Sequence, residues 1–123
     1  MRRASPKHGL LFVLLALLQM GDVQSAWARA ILMASKPTSN ATVKGSDLPI
    51  WLRFNVRIDG GRSRLRLIGP DGAEVSLATA KQTAPNILES HAGGLKPGAY
   101  KLLWQVLASD GHLSRGEVDF SVS

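Results

Sequence analysis

The chain has 123 residues, 15 basic against 9 acidic for a formal charge of +6, and no cysteine. That length bounds it to one small domain. The missing thiol excludes disulfides, thiolate metal centres and cysteine nucleophiles, so stability rests on packing, or on packing plus a ligand.

Residues 1–28 read as a leader rather than as part of the fold. Arg2, Arg3 and Lys7 form a basic start, Leu10 to Leu18 is an unbroken apolar run, and Ala26-Trp27-Ala28 fits a small-x-small cleavage site. This is the pattern of a secretory signal peptide, with export by the general secretory route. The competing reading is an uncleaved membrane anchor, but the apolar run falls well short of the roughly 20 residues that a spanning helix needs. Cleavage after Ala28 leaves residues 29–123, starting at Arg29, with 12 basic and 8 acidic residues and a charge of +4. No later stretch is apolar enough to span a membrane, so the mature chain is expected to be soluble.

The remainder follows a period of two, the spacing of strands with one buried face. Ile31-Leu32-Met33-Ala34 opens the domain and breaks at Ser35 to Asn40. After Pro49, Ile50, Leu52, Phe54, Val56 and Ile58 fall on one face, with Trp51, Arg53, Asn55 and Arg57 on the other. Asp59-Gly60-Gly61 reads as a turn, and Leu65 and Leu67 alternate with Arg64 and Arg66 in the next strand. Gly69-Pro70-Asp71-Gly72 is a strong turn, because proline presets φ and glycine supplies freedom. Glu74 to Ala78 is the next strand, Lys81 to Pro85 a loop, and Asn86 to Ser90 a short strand. Gly93-Gly94 and Lys96-Pro97-Gly98 bracket a turn before the longest apolar strand, Ala99 to Ala108, and Glu117 to Val122 closes the chain. Six or seven short strands with regular turn signals and no helical periodicity predict an all-β, antiparallel β-sandwich of the immunoglobulin-like kind. Trp104, in mid-strand, is the expected centre of its core.

Chemistry concentrates at Asp110-Gly111-His112. Residues two apart on an extended chain point to the same side, so a carboxylate and an imidazole converge, with Gly111 allowing close approach. That donor pair suits Cu(II) in a tetragonal arrangement, or zinc. Two donors make only half a site, and the plainer reading is a turn in which Asp110 accepts backbone N–H bonds and His112 is partly exposed. His91, in Ser90-His91-Ala92-Gly93-Gly94, is expected to be a surface histidine. Arg62, Arg64 and Arg66 share one strand face, most simply a solvated one. They could meet anionic lipid, but no aromatic residues interleave them, so bases would have no stacking platform and nucleic acid is not expected as a partner. No Gly-x-Ser-x-Gly elbow, phosphate loop or His-Glu-x-x-His occurs, and an enzyme is not expected.

Several of these segments together resemble the CopC/PcoC family of periplasmic copper-binding proteins: Pro97-Gly98-Ala99-Tyr100, Trp104-Gln105-Val106, Ser109-Asp110-Gly111-His112, Gly116 and Phe120-Ser121-Val122. Leu32-x-x-Ser35-x-Pro37 and Ile50-x-Leu52-x-Phe54 look like the family's opening strands. The resemblance covers essentially all of residues 29–123 and implies a seven-stranded Greek-key sandwich.

The family's Cu(II) site combines the amine and imidazole of a first histidine with the Asp and His of the Asp-x-His motif. Asp110 and His112 map onto that pair, and Arg29 stands in place of the histidine. A guanidinium stays protonated and cannot ligate, and its charge opposes a nearby cation. What remains is the Arg29 amine, the Asp110 carboxylate and the His112 imidazole. The family's Cu(I) site, a methionine-rich loop, is implied to be absent: Met33 is read as core, and the loop between the second and third strands carries Asp59-Gly60-Gly61-Arg62.

The resemblance thus implies an exported protein of copper resistance or homeostasis in the periplasm. It would bind copper through a modified, weaker site and pass it to an inner-membrane copper transporter. The alternative is a module of the same fold that has lost metal binding, with Arg29 paired to Asp110, and that acts through protein contacts.

Overall fold

The computed structural model describes residues 29–123, which form eight strands and no helix. The proposed leader lies outside the described residues. The strands are β1 (Leu32–Lys36), β2 (Ala41–Val43), β3 (Leu48–Phe54), β4 (Ile58–Ile68), β5 (Glu74–Leu77), β6 (Ile87–Ala92), β7 (Gly98–Ala108) and β8 (Leu113–Val122). They make two sheets, one of three strands in the order β1-β3-β6 and one of five in the order β2-β8-β7-β4-β5. The all-β, immunoglobulin-like sandwich expected from the alternation is the fold found.

The core lies between the sheets and is built from the apolar positions of the alternating strands. Ile50, Leu52 and Phe54 of β3 and Leu88 of β6 meet Leu65 of β4, Leu102 and Val106 of β7, and Val118 of β8, all essentially without solvent contact. Each such side chain contributes about 1.5–3 kcal/mol of transfer free energy. Trp104 stands in this core as expected, its ring edge-to-face with Phe54 at 5.2 Å and 69°. It lies directly opposite Gly116 on β8. A Cβ at residue 116 would come within 2.3 Å of the indole, so glycine makes room for the ring.

Several expectations need correction. Met33 is not core; it is 60% exposed. The register of β1 against β3 shifts between Leu32 and Ala34, and such a bulge re-aims the side chain at that point. Asp59-Gly60-Gly61 is not a turn but lies within β4, where the register against β7 shifts between Asp59 and Arg64. Ser63 closes this bulge: its hydroxyl donates to Asp59 O at 2.7 Å and accepts the Leu107 N–H at 3.3 Å. Gly60 donates its N–H to Gln82 Oε1 at 3.1 Å, and a Cβ there would sit 2.8 Å from the same side chain. The reversal instead falls at residues 55–57, where the chain passes from the three-stranded to the five-stranded sheet.

The sandwich is also not wholly antiparallel, because β2, within a stretch not assigned to any strand, pairs parallel to β8. The break expected from Ser35 to Asn40 begins only after Lys36, because Ser35 and Lys36 still pair with Leu52 and Trp51 of β3, and the chain changes sheet between Lys36 and Ala41. Finally, β8 starts at Leu113 rather than Glu117. The low strand preference of Ser114-Arg115-Gly116 is overridden by ten consecutive pairs with β7, from Gly98↔Val122 to Leu107↔Leu113. The Gly69–Gly72 turn stands as expected: Gly72 donates to Gly69 O at 3.0 Å and has φ 83°.

Candidate metal site at the Asp110–His112 turn

The hairpin between β7 and β8 is tight. Gly111 donates to Ala108 O at 2.9 Å, Ala108 donates to His112 O at 2.8 Å, and Gly111 has φ 93°, a conformation that favours glycine. The turn is tied to the chain crossing by a bond from the Ser109 N–H to Arg57 O at 3.1 Å.

Within it, the Asp110 carboxylate addresses His112 twice. Oδ1 accepts the His112 backbone N–H at 3.2 Å, and Oδ2 lies 3.2 Å from His112 Nδ1. Both side chains are about half exposed. The Asp110 pKa lies below the usual aspartate value, chiefly because the His112 backbone N–H stabilises the carboxylate; slight desolvation opposes this, and the imidazole adds to it. Two donors bound at about 2.0–2.2 Å to one ion, at angles between square and tetrahedral, lie roughly 3 Å apart. The carboxylate and imidazole therefore stand at the spacing of neighbouring ligands, and a proton on Nδ1 and a metal ion would compete for the gap.

Arg29 is exposed, and the segment it opens runs beside this hairpin. Ala30 is buried and donates its N–H to Ser114 Oγ at 3.1 Å, two residues beyond His112. Asn55 grips the same segment: its Oδ1 accepts the Ile31 N–H at 2.7 Å, its Nδ2 donates to Arg29 O at 3.4 Å, and its own N–H donates to Ile31 O at 3.1 Å. The roles of Asn55 and Ser114 could not be read in the sequence, where a polar residue on a strand carries no mark of what it holds. The expected alternative pairing of Arg29 with Asp110 is not formed: among the described residues, the side chain that meets the Asp110 carboxylate within 4.0 Å is the His112 imidazole.

The structure brings Asp110 and His112 together and, among the described residues, adds no third His, Cys, Asp or Glu to them. Among the described residues there is no cluster of three or more His, Cys, Asp or Glu side chains. His91 is exposed and pairs with Pro49, next to Leu48↔Ala92, the end of β3 remote from Asn55. It sits at the opposite end of the sandwich from His112. Arg62, Arg64 and Arg66 are exposed on one face of β4 as expected. Two of them meet carboxylates, Arg66 with Glu74 at 2.8 Å and Arg62 with Asp59 at 3.7 Å. Among the described residues no helix is long and apolar enough to cross a membrane.

The family model described as CopC domain matches residues 32–123. Protein YobA of Escherichia coli strain K12 is 32% identical over 122 residues, covering 97% of this chain and 98% of the relative. Among solved structures, the CopC of Methylosinus trichosporium OB3b is 27% identical with a TM-score of 0.72, over 77% of this chain and 94% of that one. PcoC, a methionine-rich copper resistance protein from Escherichia coli, shares the fold at 23% identity and a TM-score of 0.63, over 78% of this chain and all of that one. With a family model matching three quarters of its length and a relative aligned nearly end to end, this chain belongs to the CopC domain family.

Proposed function

We propose that this protein is exported to the periplasm, loses residues 1–28 on the way, and there binds Cu(II) as part of copper resistance or homeostasis. The site consists of Asp110, His112 and the α-amine of Arg29, and it is weaker than one with a first histidine. The protein acts as a carrier rather than an enzyme, holding copper and passing it to an inner-membrane copper transporter.

The observation that carries this reading is the Asp110–His112 pair, whose donor atoms stand 3.2 Å apart on a tight hairpin. An oxygen and a nitrogen donor at this spacing fit copper, and exposure of both side chains leaves the ion able to enter and leave. The donor set fits the ion only in part. An amine, a carboxylate and an imidazole leave a fourth position to water, and the fixed charge of Arg29 lowers affinity further. A second, thioether site has no part in the proposal, because Met33 is the one methionine after residue 28.

A second reading is favoured by the small number of donors: metal binding has lapsed and the domain serves as a contact module for a membrane copper transporter. Titration of the processed protein with Cu(II), alongside His112→Ala, separates the two. Stoichiometric binding that disappears in the variant supports the carrier; no binding in either supports the contact module.

A further inference from the structure

The segment 29–31 is held more closely than a chain terminus needs to be. Terminal residues are ordinarily loose unless something ties them down. Here both backbone groups flanking Ala30 are engaged by one side chain, the Asn55 amide, which accepts from Ile31 N–H and donates to Arg29 O. An amide carries a donor and an acceptor side by side, so it stands in for the backbone of a neighbouring strand. The Ala30 N–H, facing the other way, is taken by Ser114 Oγ. Asn55 lies where β3 leaves the three-stranded sheet, and Ser114 lies in β8 of the five-stranded sheet. The segment is therefore tied to both sheets at once, beside the hairpin that carries Asp110 and His112.

We infer that Asn55 and Ser114 are positioning residues that clamp residues 29–31 so that the α-amine of Arg29 is presented to the Asp110–His112 pair. The ligand and the free amine in this inference rest on the copper reading and the processing proposed above; the placement of residues 29–31 rests on the hydrogen bonds. The clamp also fixes which chain end can serve. A chain starting at Ala30 would lack the Arg29 carbonyl that Asn55 Nδ2 meets. Prepositioning matters most for a site short of donors, because the cost of ordering the amine is met before the ion arrives.

The test uses the protein expressed with its leader and purified after processing, its first residue read by mass spectrometry. In the metal-free protein, NMR should show contacts between Arg29 and the His112 ring, and slow exchange of the Ala30 and Ile31 amides. Asn55→Ala and Ser114→Ala should each speed exchange at those amides and leave Leu102, in the centre of β7, protected. With Cu(II), competition titration should show affinity falling about 10–100-fold in either variant, the range for residues that orient a ligand. The electron paramagnetic resonance spectrum should lose one nitrogen donor. Ser114→Thr, which keeps the hydroxyl, should restore both. A mature chain that does not begin at Arg29, absence of the Arg29–His112 contacts, or variants with unchanged affinity and spectrum overturns the clamp. If the native protein binds no copper, the copper reading fails, and the exchange and contact measurements still decide the clamp.

Discussion

Asp110 grips His112 at two points, taking its backbone N–H on one carboxylate oxygen and facing Nδ1 with the other, each at 3.2 Å. The first contact holds the hairpin, and the second fixes the orientation of the ring. In the proposed site the ion enters between Nδ1 and the carboxylate and displaces any proton held there. An aspartate that shapes the turn and also orients the imidazole explains how so exposed a pair can be preorganised.

This contact makes a pH prediction. The folded pKa of Asp110 lies below its unfolded value because the His112 N–H favours the charged form. A depressed carboxylate pKa contributes stability that is complete above the unfolded value, about 3.9, and is lost as pH falls through the lower folded value. In an NMR titration the Asp110 carboxyl should therefore have its midpoint below that of an unfolded aspartate. Asp110→Asn, which also removes the charge, should abolish the corresponding acid-range change at the His112 amide.

Arg29→His should strengthen copper binding. The substitution removes a fixed positive charge and adds an imidazole on a segment already held by Ser114 and Asn55. Cu(II) affinity should rise at least about tenfold, since each 1.4 kcal/mol of added coordination is worth that factor, and the spectrum should gain a nitrogen. Unchanged affinity would mean that residue 29 does not reach the pair.

Gly116→Ala should destabilise the domain although residue 116 is not itself a proposed ligand. The new Cβ would stand 2.3 Å from Trp104 Cζ2 and 2.6 Å from Cε2. The indole is itself held by Phe54 and has little room to retreat. Overpacking of this kind costs about 1–3 kcal/mol, which for a domain of this size is a fall in Tm of roughly 4–8 °C per kcal/mol. Thermal unfolding should show the fall.

Neutralising the exposed ion pair by Glu74→Gln should, by contrast, change little. Arg66 and Glu74 approach to 2.8 Å, but both side chains are about half exposed, and such pairs contribute about 0–1 kcal/mol. A shift in unfolding midpoint comparable to that of Gly116→Ala would contradict this.

The alternation of apolar residues made the sandwich legible, because each strand buries one face and period-two spacing follows directly from that. Where the reading went astray, the cause was tertiary. Asp59-Gly60-Gly61 has turn composition, yet Gln82 and Ser63 satisfy its backbone from outside and let β4 run through it. Met33 looked apolar enough for the core, but a one-residue register shift turns it outward. Ala41–Val43 is too short to show a pattern and is strand only because β8 offers an open edge. At the site, Asp110 and His112 could be read from their spacing. Asn55 and Ser114 could not, since their work is done on backbone groups more than 20 residues away in the chain.

The proposed Cu(II) site consists of Asp110, His112 and the Arg29 amine. Its most direct test is electron paramagnetic resonance of the processed protein with one equivalent of Cu(II), compared with amine-acetylated protein and with His112→Ala. The expected spectrum is that of a bound ion with two nitrogen donors, one lost on acetylation and the other in the variant. A spectrum of free Cu(II) in the native protein, or one indifferent to both changes, would contradict it.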